Sequence, residues 1–142
     1  MEYWGGAEGS KSKEPRTKQA PMPEKSKSPK YDLEERTFRF AQRVRILIRK
    51  LPRTLTHAAD AKQLARSSGS VGANYIEANE GLGKKDFQMH IKMCRKEAKE
   101  CSFFLRLLDT AGTEALEVEC SALIQESREL VSIFSAIIKK TT

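Results

Sequence analysis

The sequence predicts an all-α protein: an antiparallel up-down-up-down four-helix bundle with left-handed, heptad-like packing, preceded by a disordered N-terminal tail. Three observations carry that expectation. Four segments place apolar residues at alternating steps of three and four, the mark of one buried helical face. Short stretches containing Pro52, Gly81, Gly83 and Gly112 separate those segments. No segment alternates apolar and polar residues as a strand does, and no Asn-Gly or Asp-Gly hairpin dipeptide occurs.

Residues 1–30 stand apart from the rest. They hold four of the five prolines (Pro15, Pro21, Pro23, Pro29), three of the eight glycines, and seven Lys/Arg against four Glu. Met1, Tyr3, Trp4 and Met22 are their sizeable apolar residues, too few to offset the entropy of ordering the segment. It reads as a disordered basic tail and lacks the apolar run of about 7–15 residues of a secretory signal. The folded domain is therefore expected over 31–142, within the size of a single domain and far below a multidomain enzyme.

The first helix carries Leu33, Thr37, Phe40, Val44, Leu47 and Leu51 on one face, and Pro52, which lacks an amide hydrogen, stops it. The second, starting near Thr56, carries Leu64, Ser68, Val71, Tyr75, Ala78 and Leu82. The third carries Phe87, Ile91, Cys94, Ala98, Cys101, Leu105 and Leu108, with Asp86 near its start and Gly112 beyond its end as a left-handed cap. The fourth carries Leu116, Cys120, Leu123, Ser127, Leu130, Phe134 and Ile137, with Thr113 as N-cap and Glu114 and Glu117 at its positive end. A sustained seven-residue repeat implies shallow packing angles, and short connections favour antiparallel neighbours.

The second helix contains a run of weak helix formers, Arg66-Ser67-Ser68-Gly69-Ser70-Val71-Gly72-Ala73-Asn74. Each mid-helix glycine costs about 1 kcal/mol relative to alanine, so close approach of a neighbouring helix over small side chains is the expected compensation. Arg66, Ser70, Asn74, Glu77 and Glu80 form a polar motif along this helix. A buried network that fixes packing register is its bland explanation, and a ligand pocket the sharper one.

The run Arg66–Gly81, followed by Lys84-Lys85-Asp86-Phe87 and Arg95-Lys96-Glu97-Ala98-Lys99-Glu100, resembles the four-helix bundle proteins of the 23S rRNA intervening-sequence family. The resemblance covers about residues 31–140. It implies a small bacterial protein that assembles as a homopentameric barrel. A related group, the accessory variability determinant proteins of diversity-generating retroelements, binds nucleic acid and a reverse transcriptase, which extends the implied partners to both classes.

Charge is segregated along the chain. The 26 Lys+Arg and 19 Asp+Glu give a net charge of +7, but Arg36–Arg53 contains seven basic residues and no acidic one. The third helix adds Lys84, Lys85, Lys92, Arg95, Lys96 and Lys99, whereas Glu114, Glu117, Glu119, Glu126 and Glu129 make the fourth acidic. Arg36, Arg39, Arg43 and Arg45 on helix one, with Lys92, Arg95, Lys96 and Lys99 on helix three, are the candidate nucleic-acid contacts. They would hold phosphates without reading sequence, since no zinc-finger, helix-turn-helix or RNP signature occurs. The opposing reading pairs basic helix one with acidic helix four, or with an acidic protein partner, in an oligomeric scaffold such as an adaptor for a reverse transcriptase. Further apolar residues off the core line (Ile124, Val131 and Ile138; Met89, Met93, Phe103, Phe104 and Leu107) suit wide core contacts or a subunit interface.

Enzyme signals are weak. There are two histidines, His57 and His90, and no Glu-x-x-His of a bundle di-metal site. Cys94 and Cys101 are seven residues apart on the core line, about 10 Å along the axis, and read as small hydrophobes. No phosphate loop or nucleophile elbow occurs. The sequence thus predicts a non-enzymatic protein without metal or cofactor. Three cysteines fit a reducing, cytoplasmic setting, and no run approaches the ~18 apolar residues of a membrane span.

Overall fold

The computed structural model describes residues 29–142, with side chains from Leu33 onward. It contains four helices: α1 (Pro29–Lys50), α2 (Leu55–Asn79), α3 (Lys84–Leu107) and α4 (Glu114–Lys140). The expected tail lies outside the described residues except for its last two positions, where α1 has already begun. A proline suits a first helical position, because the amide it lacks would have had no partner there.

Helices adjacent in sequence pack side by side, and α1 closes the ring against α4. The register of contacts runs in opposite directions across each pair. Between α3 and α4, Gln88 reaches Thr141, Arg95 reaches Ser135, Ser102 reaches Ser127, and Cys120 bonds to the Leu105 carbonyl. Between α1 and α4, Arg36 meets Glu126 and Arg43 meets Glu119.

The core is the set of apolar positions that recur at three and four. Phe40, Val44 and Leu47 of α1, Leu64 and Val71 of α2, Ile91, Cys94 and Leu105 of α3, and Leu123, Leu130 and Phe134 of α4 are all fully buried. The weak helical run of α2 is compensated as its composition requires. A Cβ on Gly72 would stand 3.0 Å from Thr37 Oγ1 and 3.4 Å from Thr37 Cβ, so α1 crosses α2 directly over that glycine. Thr37 is buried there with its hydroxyl donated to the Leu33 carbonyl of its own helix at 2.8 Å. Ser67 and Ser68 are likewise buried, each bonding a carbonyl one turn back.

Several end positions depart from the periodic expectation. Leu82 continues the α2 stripe in sequence but lies beyond the helix, which stops at Asn79, and is 93% exposed. Gly81 and Gly83 flank it and let the chain turn before the stripe can continue. At the end of α4 it is Ile138 that is buried and Ile137 that is half-buried, so the helix rotates its last turn away from a strict repeat. Ile124 and Val131 pack on the edge of the core, which makes the extra α4 stripe a wide core contact within the chain.

Gly112 does adopt a left-handed conformation (φ +73°), but in the turn before α4, next to Ala111 (φ +56°), and not as a cap on α3. The reason is that α3 ends five residues earlier, with Leu108 already extended. Thr113 occupies the N-cap position of α4, yet its side chain makes no capping bond there. Thr54 caps α2 by accepting a hydrogen bond from the His57 amide at 3.1 Å.

Candidate nucleic-acid interface

Three of the four α1 candidates, Arg36, Arg43 and Arg45, are partnered within the bundle. Arg36 donates from Nε to Glu126 at 2.7 Å and from Nη2 to Glu129 at 2.7 Å, both on α4. Hydrogen bonding to Glu126 foremost, with Glu129 adding, holds this guanidinium above its ordinary value against the effect of burial. The Glu129 carboxyl is held below the usual range by hydrogen bonds from Gln125 and then Arg36. Arg43 lies 3.5 Å from Glu119 of α4, and Arg39 lies 3.3 Å from Glu35, one turn back on its own helix.

Arg45 turns toward α2, donating to the Ala65 carbonyl at 3.1 Å and to Ser68 Oγ at 3.3 Å, with the Ala41 carbonyl of α1 as a third acceptor. It lies across Gly69, where an added Cβ would come within 3.3 Å of its Nη2. The arginine thus satisfies backbone carbonyls over the small-residue stretch. Of the helix-one candidates, Arg36, Arg43 and Arg45 serve the bundle itself.

The α3 candidates are placed differently. Lys92, Lys96 and Lys99 are exposed at spacings of four and three on the outward face, and among the described residues none of them makes an ion pair. Arg95 lies half-buried beside them and donates to Ser135 Oγ of α4 at 3.4 Å. Lys85, Gln88, Met89, Lys92, Met93 and Lys96 line one shallow surface depression along this helix. The structure brings these cations together on one face and does not join them to the α1 arginines, since α1 and α3 stand diagonally across the bundle.

The polar motif of α2 divides. Arg66 bonds α3 through Glu97 (Nη1–Oε1, 3.4 Å) and Glu100, whose hydrogen bond is the foremost cause holding Arg66 above its ordinary value. Glu97 is buried, so Arg66 supplies the partner that a buried carboxylate requires. Ser70 only lends its carbonyl to Asn74 Nδ2 at 2.9 Å, a bond within α2. Glu77 and Glu80 are exposed. The expected buried network over Asn74–Glu80 is therefore absent, because that face of α2 turns to the surface; the polar pairing sits one helical stretch earlier.

One residue with a clear structural task had no signal in the spacing of the sequence. His57 is buried in the first turn of α2, with Nδ1 3.0 Å from the Pro52 carbonyl and Nε2 accepting the Asp109 amide at 2.9 Å. The bond from Asp109 leaves Nε2 without a proton, so Nδ1 carries it and donates to Pro52. One imidazole thereby joins the α1–α2 and α3–α4 connections.

Burial pushes the Cys94 and Cys101 thiols up to about 12, which suits core groups and not nucleophiles. Among the described residues no group of three or more His, Cys, Asp or Glu could hold a metal ion. Among the same residues no helix is long and apolar enough to cross a membrane.

These features define a small all-α bundle whose polar chemistry is largely spent on joining its own helices. Residues 30–136 match the family described as 23S rRNA-intervening sequence protein, and the chain belongs to that family. A solved structure of a protein with unknown function from the S23 ribosomal protein family of Bacteroides thetaiotaomicron is similar, with 28% identity and a TM-score of 0.65. The match covers 75% of this chain and 97% of that one. No curated protein is significantly similar to the chain.

Proposed function

We propose that this is a non-enzymatic, cytoplasmic protein that binds nucleic acid without sequence preference through the outward face of α3. Lys92, Lys96 and Lys99 are the phosphate contacts, with Arg95 at the edge and Arg39 of α1 as a lesser, separate site. The observation that carries this reading is the contrast between the two basic helices. Arg36 and Arg43 are matched by α4 carboxylates and Arg45 by the Ala65 carbonyl and Ser68 hydroxyl of α2, whereas among the described residues Lys92, Lys96 and Lys99 make no ion pair. Self-association, pentameric by the family resemblance, would repeat the lysine face around a ring and raise its affinity through multiple contacts.

Fluorescence anisotropy with labelled RNA and DNA over a salt series tests the reading. Three or four phosphate contacts give a log–log salt slope of about −3. Lys92→Glu and Lys96→Glu should abolish binding with helicity intact, while Arg36→Glu should act on stability. No binding at low salt, or binding indifferent to salt, would overturn it. Light scattering reports the oligomer independently.

A further inference from the structure

Phosphate contacts alone leave one large side chain on the basic face of α3 without a task. At 3.6 residues per turn, Lys85, Lys92, Lys96, Lys99 and Phe103 fall within about 60° of one another around the helix, and no carboxylate lies between them. Phe103 is 53% exposed on that stripe. Its ring is set at 82° to that of Phe104, with centroids 5.3 Å apart, and Phe104 packs in turn against the core. That contact holds an exposed ring in one attitude. Lys99 lies one turn before Phe103, about 6 Å along the axis, and the exposed Arg106 lies about one turn beyond. Among the described residues neither cation makes an ion pair.

We infer, resting on the nucleic-acid reading of the same face, that Phe103 is a platform on which an unpaired base stacks, so that the face takes single-stranded nucleic acid in preference to duplex. A fixed aromatic ring in a line of cations supplies the two contacts a single strand offers. Its phosphates lie along Lys92, Lys96 and Lys99, and a base beyond them lays its flat face on the ring. In a duplex the base faces are already stacked on one another, and the ring would stay in water. Charge alone favours the opposite order, because a duplex carries twice the phosphates along the same length. Preference for the single strand is therefore the signature of the ring and not of the lysines. A second copy is the poorer occupant. The same face would set lysines against lysines, and Glu119, Glu126 and Glu129 of its acidic helix are already set against α1.

The test is fluorescence anisotropy of the full chain with three labelled probes of about 20 nucleotides. One is a mixed-sequence single strand, the second that strand annealed to its complement, and the third an abasic strand with the same number of phosphates. The native single strand should bind about five- to tenfold more tightly than the abasic strand, and more tightly than the duplex. Phe103→Ala should remove that advantage with helicity and the log–log salt slope unchanged, since stacking releases no counterion; Lys99→Ala should instead lower the slope by about one. Phe103→Tyr, which keeps a ring, should bind like the parent chain. A duplex or an abasic strand bound as tightly as the native single strand overturns the platform and leaves phosphate binding standing. Failure of all three probes to bind at low salt overturns both readings together. A smaller particle in light scattering on Phe103→Ala overturns the platform in favour of a contact between copies.

Discussion

His57 shows how much one side chain can hold when its ring has two backbone partners. Replacing it by leucine keeps an apolar fill but removes the hydrogen-bond partner of the Asp109 amide and the Pro52 carbonyl; both bonds are part-buried, so each loss should cost about 1 kcal/mol. His57→Leu should lower the urea midpoint more than the same change at His90, with an unchanged m-value. Gly72 offers a graded counterpart. Gly72→Ala gains about 1 kcal/mol of helix propensity but sets its Cβ 3.0 Å from Thr37 Oγ1, so the two effects should nearly offset. Gly72→Val drives further atoms into α1 and should cost about 1–3 kcal/mol by overpacking. The thiols of Cys94 and Cys101 should resist a thiol reagent such as dithionitrobenzoate in the native protein and react once it unfolds. Because each holds its proton to about 12 when folded, the unfolded chain, near its ordinary 8.5–9, loses it first. Stability from these groups is complete below about pH 9. It falls as pH rises toward 12, by about 1.4 kcal/mol per thiol per pH unit, which alkaline denaturation titrations would show.

At the scale of elements, the pairing of α1 with α4 is the main use of the charge segregation. Arg36 is partly exposed, so solvent screening limits its pair with Glu126. A double-mutant cycle on Arg36→Ala and Glu126→Ala should give a coupling of roughly 0.5–1 kcal/mol, shrinking in 1 M salt. The opposite signs of helices one and four were legible in the sequence. That the pairing forms within one chain was not, because a heptad repeat gives the face of a helix but not the register of its neighbour. The same limit explains Asn74, Glu77 and Glu80. Their spacing put them on one face, but only the position of α3 decided that Arg66 meets Glu97 and Glu100 while Glu77 and Glu80 face outward. The small residues of α2 were more informative, since a helix rich in Gly and Ser demands a close neighbour, and Thr37 and Arg45 supply it.

For the whole molecule, four helices and their core lines followed from periodicity, since burial of one face per helix leaves few other arrangements. The ends were less legible. Leu82 and Ile137 fit the repeat arithmetically, but Leu82 sits in the turn beyond α2 and the last turn of α4 buries Ile138 in place of Ile137. The α3 lysines were legible as charges, whereas the absence of an ion pair at Lys92, Lys96 and Lys99 among the described residues is a property of the packed bundle.

The imidazole that bridges Pro52 and Asp109 also makes the backbone amide of a loop residue a reporter on the entire domain. An amide in a six-residue connection would ordinarily exchange its hydrogen with solvent through small local openings. The Asp109 amide is instead shielded by a ring anchored in the first turn of α2, fifty-two residues away in sequence. It can exchange only when the two connections part. In native-state exchange with deuterium, Asp109 should therefore be protected like the amides of the helix cores, and His57→Leu should return it to the rate of its neighbours.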